Sequence, residues 1–219
     1  LEGFGSFEGV QKTKKELYDY LRDHQGFIFR NIDNPYLAQM AGNLETVSYR
    51  TGTLPLGTHL VGDYNAENVS AAICVGEYFG VSNEQALRAI CQYVPTNNRS
   101  QQMQTAKNHL VVDAYNANPT SMQAAINSFE GDTYILGAMR ELGDYTHLEH
   151  QNVVNMLAER KADLVYLVGE EYHLTTSPYP IFNTVEELHD YLVINPVKDR
   201  KILLKGSRST KMEKLLDVL

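Results

Sequence analysis

Four apolar runs decide the fold: LVVDA at Leu110–Ala114, TYILGA at Thr133–Ala138, DLVYLVG at Asp163–Gly169 and KILLKG at Lys201–Gly206. Each has the length of a strand and too few polar positions to leave one face wet, so each is expected to be covered on both sides. Helical periodicity fills the gaps, from Pro119, from Tyr145 to Arg160 and from Thr184 to Leu192, and a final helix runs to Leu219. Strands that alternate with helices in this way predict an α/β fold with a mostly parallel sheet. Such sheets bind ligands beyond the carboxyl ends of their strands. The polar residues worth attention fall there: Asp113–Asn118, Gly137–Gly143 and Lys205–Arg208.

Upstream, a helix with Leu17, Tyr18 and Leu21 on one face leads into GFIFRN (Gly26–Asn31), read as a strand. Asn34-Pro35 opens a short helix to Ala41, TVSY (Thr46–Tyr49) suits a strand, and Thr51–Gly57 has no period. Asn65–Phe79 and a Ser82-capped segment to Ile90 read as two helices. Pro95 and the polar run Thr96–Asn98 then break the pattern, which predicts a domain boundary dividing residues 1–94 from 95–219. The 19 Lys and Arg against 27 Asp and Glu leave a net charge of −8, which argues against nucleic acid and anionic membrane as partners and requires any anion to be held locally. Cys74 and Cys91 have neither disulfide nor zinc spacing and are expected as small packed thiols. His147 and His150 stand three apart on a helix, one expected at the surface and one packed, so no zinc site is expected. With no membrane-length apolar run and no leader, the expected place is the cytoplasm.

Three segments carry chemistry or its absence. KGSRSTKME (Lys205–Glu213) sets Gly206 and Ser207 between a strand and an expected helix, which suits an anion at free backbone N–H groups or, equally, a plain cap by Ser207. DAYNANPTSM (Asp113–Met122) joins a carboxylate, two amides and a helix-starting proline. Turn preference explains Asn118-Pro119 but leaves Asp113 and Asn116 together unexplained. Asn65 and Asn68, one helical turn apart, can present two amides to a purine edge, or cap and solvate the helix start. No GxxxxGK[ST] phosphate loop occurs in the sequence, so a triphosphate cradle of that kind lies outside this chain.

In order, LEGFGSFEGVQKTKKEL, NIDNP, GDYNAENVSAAI, NNRSQ, DAYNANPTSM, LGAMRELGD with the later EH, and KGSRSTKME closely resemble the Mur ligase family, in its dipeptide-adding (MurF) type. The resemblance implies the tail of a central ATPase domain over residues 1–94 followed by a Rossmann-like C-terminal domain over 95–219. Relatives carry more strand sequence where Thr51–Gly57 stands, which marks this connection as shortened, and the magnesium-binding histidine that usually precedes LEGFGS would fall before Leu1. The implied activity is amide ligation: ATP phosphorylates the terminal carboxylate of UDP-N-acetylmuramoyl-tripeptide, and the amine of D-alanyl-D-alanine displaces phosphate.

By the same resemblance, Lys14 matches the carbamylated lysine that supplies a carboxylate to Mg2+, with Lys12 and Lys15 as its nearest rivals. Asn65 and Asn68 match adenine contacts, Arg99 a phosphate contact and Asp113 a ribose contact. Asn116, Ser207 and Arg208 match the side that faces the dipeptide. A monomer is expected, and a chain lacking the phosphate loop and the UDP-sugar domain is expected to be inactive alone. The alternatives are a related ligase that adds a single amino acid, or a non-catalytic nucleotide- or peptide-binding module.

Overall fold

The computed structural model describes residues 4–60, 62, 64–96 and 98–219; the first three residues of LEGFGS, Asp63 of GDYN and Asn97 of NNRSQ lie outside the described residues. The chain divides into two compact units, Leu1–Thr58 with Asp63–Tyr93, and His59–Gly62 with Val94–Leu219.

In the first unit, α1 (Phe7–Asp23) is capped by Ser6, whose side chain accepts from the Gly9 N–H. It leads to β1 (Phe27–Asn31), α2 (Pro35–Ala41), β2 (Glu45–Tyr49), α3 (Tyr64–Tyr78) and α4 (Asn83–Gln92). The predicted cap at Ser82 forms and closes a reciprocal capping box with Gln85, and Asn34 accepts from the Tyr36 N–H with Pro35 in the first turn. β1 and β2 pair in parallel as a two-stranded sheet. Asn31 is buried at the end of β1, where its amide donates to Thr51 Oγ1 at 2.9 Å and Glu67 Oε1 at 3.0 Å, tying the sheet to the unpatterned connection and to α3. Cys74 and Cys91 are free thiols, each half-buried.

The second unit holds β3 (Gln101–Gln104), β4 (His109–Asp113), α5 (Pro119–Ser128), β5 (Thr133–Gly137), α6 (Thr146–Glu159), β6 (Leu164–Val168), β7 (Ile181–Phe182), α7 (Val185–Ile194) and β8 (Lys201–Lys205). Its sheet runs β3-β4-β8-β5-β6-β7, with β3 antiparallel to β4 and every other pair parallel. The last strand is therefore central, flanked by β4 and β5. Alternation along the strands supplies two cores. Val111, Leu203, Tyr134 and Leu136 meet Met122, Ile126, Val153 and Leu157 of α5 and α6, whereas Leu110, Val112, Ile202, Leu204 and Ile135 meet Leu188 and Leu192 of α7 with Met212 and Leu215. Asn118 caps α5, accepting from the Ser121 N–H at 2.9 Å, and Thr184 caps α7.

One expectation is corrected here. No continuous helix leads from β8 to Leu219; Arg208–Thr210 and Met212–Leu215 are separate 3-10 turns, divided by Lys211 in the left-handed region at φ 50°. The cause is packing. Met212 and Leu215 are fully buried, and Met212 folds back over Gly206, where a Cβ would meet its Cγ at 2.5 Å. A Cβ at Gly137, at the end of β5, would meet Thr210 Oγ1 at 2.8 Å. Gly206 is thus needed for this close approach, whatever the segment binds.

His150 is the packed member of the histidine pair and His147 the exposed one. The Met139 N–H donates to His150 Nε2 at 3.1 Å, and Nδ1 lies 2.7 Å from the Thr146 carbonyl, an arrangement that needs the neutral Nδ1–H tautomer. Desolvation, the largest influence, holds its pKa below the usual histidine range. His150 therefore fixes the β5–α6 connection as a neutral hydrogen-bonding group.

Candidate active site

Parallel register sets Asp113 opposite Lys205 at the carboxyl ends of β4 and β8. Lys205 is fully buried, its Nζ 2.6 Å from Asp113 Oδ2 and 3.1 Å from the Asn116 carbonyl oxygen. A buried ammonium requires this kind of partnership, since it has left water. The pair fastens the β4–α5 turn to the neighbouring strand, and the Gly206 N–H adds a 3.3 Å bond to the Asp113 carbonyl. Asp113 is mostly buried at the rim, while Asn116 beside it is exposed.

Two residues beyond Asp113, the exposed ring of Tyr115 carries the Arg99 guanidinium 3.7 Å from its centroid and that of Arg208 at 5.8 Å. Arg99 stands between Asn98 at φ 56° and Ser100 at φ 50°, and the Ala114 N–H donates to the Asn98 carbonyl at 2.8 Å. That tight turn is thereby pinned to the end of β4. Ser207 is buried with its Oγ 2.7 Å from Ser209 Oγ, and its carbonyl accepts from Thr210. Because the segment is a 3-10 turn, the expected support from a helix dipole at Ser207 is missing.

Asp113, Asn116, Arg99, Ser207 and Arg208 are all brought to one end of this sheet. Sequence reasoning missed Tyr115, and it missed the internal partner of Lys205, which a strand ending in lysine disguises as a solvated charge.

In the first unit, Asn65 is buried in the first turn of α3, and the Asn68 amide donates to Asn65 Oδ1 at 3.3 Å, so these two side chains do meet. Lys14 is exposed on α1 and has no ion pair or hydrogen bond among the described residues. Its neighbour Lys15 binds both carboxylate oxygens of Asp19, at 2.5 and 2.7 Å, and Arg22 shares that carboxylate. Those two cations hold the Asp19 carboxyl below the ordinary aspartate range. Among the described residues, no group of three or more His, Cys, Asp or Glu side chains could hold a metal ion.

A family model described as Mur ligase, glutamate ligase domain, matches residues 98–213, which is more than half of the chain. The chain belongs to the Mur ligase family. Among Mur ligases, it is 28% identical over 256 residues to UDP-N-acetylmuramoyl-tripeptide--D-alanyl-D-alanine ligase of Bacillus subtilis (strain 168), an alignment that covers 99% of this chain and 56% of the relative. The chain spans about half the length of the curated Mur ligases it matches. That alignment is also longer than the 219-residue chain, so the relative carries inserted residues that this chain lacks. Two solved Mur ligases share the fold. They are the MurF ligase from Thermotoga maritima in complex with ADP (TM-score 0.81, 20% identity, 100% of this chain and 58% of that one) and MurF from Acinetobacter baumannii (TM-score 0.78, 24% identity, 99% and 56%). No helix among the described residues is long and apolar enough to cross a membrane.

Proposed function

We propose that this chain is the part of an ATP-dependent carboxylate–amine ligase that joins D-alanyl-D-alanine to UDP-N-acetylmuramoyl-tripeptide in peptidoglycan precursor synthesis, as a cytoplasmic monomer. The observation that carries the reading is the gathering of Arg99, Asp113, Asn116 and Arg208 at the carboxyl ends of β4 and β8, in a chain that aligns over 99% of its length with a ligase of that name. The first unit, taken as residues 1–94, is proposed as the tail of the ATPase domain and residues 95–219 as the C-terminal domain. In support, a parallel sheet of two strands is rarely self-sufficient, and the buried apolar residues of the first unit are limited to Ala41, Leu44, Ala66, Val69 and Ala86 among those described. The residues absent relative to the longer family members are assigned to Thr51–Gly57, a stretch without regular structure.

In this reading a carboxylate oxygen of the acceptor attacks the γ-phosphorus of ATP, releasing ADP and leaving an acyl phosphate. The dipeptide amine then adds to the acyl carbon, loses a proton and expels inorganic phosphate as the amide forms. Such chemistry asks the protein chiefly to position reactants and neutralise charge. Asn65 and Asn68 offer paired amides to adenine, and Asp113 accepts from the ribose hydroxyls while Lys205 holds its other side. Arg99 meets the phosphates, and Asn116, Ser207 and Arg208 face the dipeptide. Mg2+, when bound, supplies further neutralisation of phosphate charge. Lys14 fits the role of its carbamate ligand, being exposed to dissolved carbon dioxide and unpaired, whereas Lys15 is occupied by Asp19.

The test is amine-dependent nucleotide turnover. The full-length ligase should turn ATP over to ADP continuously with UDP-N-acetylmuramoyl-tripeptide only when D-alanyl-D-alanine is added, and the 219-residue chain alone should release no ADP above a heat-killed control. Equal turnover with a single amino acid such as D-glutamate in place of the dipeptide would favour the related-ligase alternative instead.

A further inference from the structure

The five arginines of the second unit fall into two groups. Arg140 pairs with Glu171, Arg200 with Asp163 and Asp132, and Arg160 donates to the Asn127 and Phe129 carbonyls and the Tyr134 hydroxyl. Arg99 and Arg208 have no hydrogen-bond or ion-pair partner among the described residues, and both meet the ring of Tyr115. Two cations of like charge gather on one aromatic ring where solvent would have let them part.

We infer that Tyr115 is a positioning residue that holds Arg99 and Arg208 on a shared ring, and so keeps the nucleotide-binding and dipeptide-binding arginines in register. This deepens the proposed function and rests on it for the identity of the two ligands. A guanidinium attracted to a ring face engages the π-cloud and keeps its N–H donors for anions, the geometry that bidentate contact with phosphate or carboxylate requires. At 3.7 Å Arg99 is the tightly held partner, and at 5.8 Å Arg208 is at the outer reach of the same attraction. The scaffold is local: Tyr115 lies two residues past the end of β4, the turn carrying Arg99 is bound to the Ala114 N–H, and the turn carrying Arg208 follows β8, which the Asp113–Lys205 pair fastens to β4. Ligation needs the activated acceptor and the incoming amine side by side. One ring shared by both arginines supplies a fixed spacing between the groups that bind them.

Two readouts test it. In the 219-residue chain, the Arg99 side-chain proton resonances should be shifted upfield by the ring current, move toward the values of free arginine in Tyr115→Leu, and stay shifted in Tyr115→Phe, which restores the ring without the hydroxyl. In the full-length ligase, Tyr115→Leu should raise KM for ATP and KM for D-alanyl-D-alanine together, each by about threefold to tenfold, with a smaller change in kcat, and Tyr115→Phe should restore both. By contrast, Arg99→Ala should raise KM for ATP alone and Arg208→Ala KM for the dipeptide alone. A Tyr115→Leu enzyme with only one KM altered, or neither, overturns the inference, as does Tyr115→Phe behaving like Tyr115→Leu. If the full-length protein carries out no ATP-dependent ligation, the proposed function fails by that result, and unshifted Arg99 resonances would separately overturn the shared ring.

Discussion

Replacing Lys205 with methionine should destabilise the second unit by about 3–5 kcal/mol, the range for removing one partner of a buried ion pair. The side chain is 1% exposed and its Nζ is 2.6 Å from Asp113 Oδ2, so the substitution strands a carboxylate that has only 14% exposure, and it also removes the donor to the Asn116 carbonyl. Methionine fills most of the vacated volume, which makes lost charge pairing the dominant effect rather than a cavity. The corresponding fall in thermal midpoint is about 10 °C or more. The double variant Lys205→Met/Asp113→Leu should recover much of the loss, because no charge is then left alone. Thermal unfolding followed by circular dichroism measures both; a single variant within about 1 kcal/mol of wild type would mean that the pair carries no structural weight.

The largest catalytic effect is expected at Lys14. In the full-length ligase Lys14→Ala should lower kcat by about a hundredfold to a thousandfold, a loss of the size seen when one preorganised charge-stabilising group is removed, while KM for ATP changes little. A group that acts on developing charge is felt in turnover more than in ground-state binding. Lys15→Ala is the control from the same turn of α1: it removes an ion pair whose partners are both 44% exposed, which is worth at most about 1 kcal/mol. Its turnover should stay near wild type, and short carboxylic acids should partly restore Lys14→Ala by replacing the missing carboxylate. Steady-state kinetics decides. A crippled Lys12→Ala enzyme beside a near-normal Lys14→Ala would shift the assigned register by two residues.

The α/β alternation was legible because strands buried on both faces are written as unbroken apolar runs, and the helix starts because Asn34-Pro35, Ser82, Pro119 and Thr184 mark them; the structure adds that Asn34, Asn118 and Thr184 act as caps beside the expected Ser82. What the sequence concealed had specific causes. β3 is a polar edge strand, QQMQ, and β7 has only two residues, so neither leaves a hydrophobic signature. The tail after β8 has helix-compatible residues, yet burial of Met212 and Leu215 against the sheet forces separate turns with Lys211 left-handed between them. At the site, residue type and strand-end position located Asp113, Asn116, Ser207 and Arg208 at the carboxyl end of the sheet. Their partners were invisible: that Lys205 faces Asp113 depends on β8 pairing with β4 across 92 positions, and that Tyr115 meets two arginines depends on three separate turns.

Activation of a carboxylate by phosphoryl transfer before amide formation can be followed with an oxygen isotope. UDP-N-acetylmuramoyl-tripeptide labelled with 18O in its terminal carboxylate is incubated with the full-length ligase, ATP and D-alanyl-D-alanine, and the released phosphate is analysed by mass spectrometry. Attack by the carboxylate on phosphorus and later expulsion by the amine leave one labelled oxygen in each phosphate, formed in step with ADP and the dipeptide-extended product. Unlabelled phosphate accompanying ligation, or AMP and pyrophosphate in place of ADP and phosphate, would contradict it.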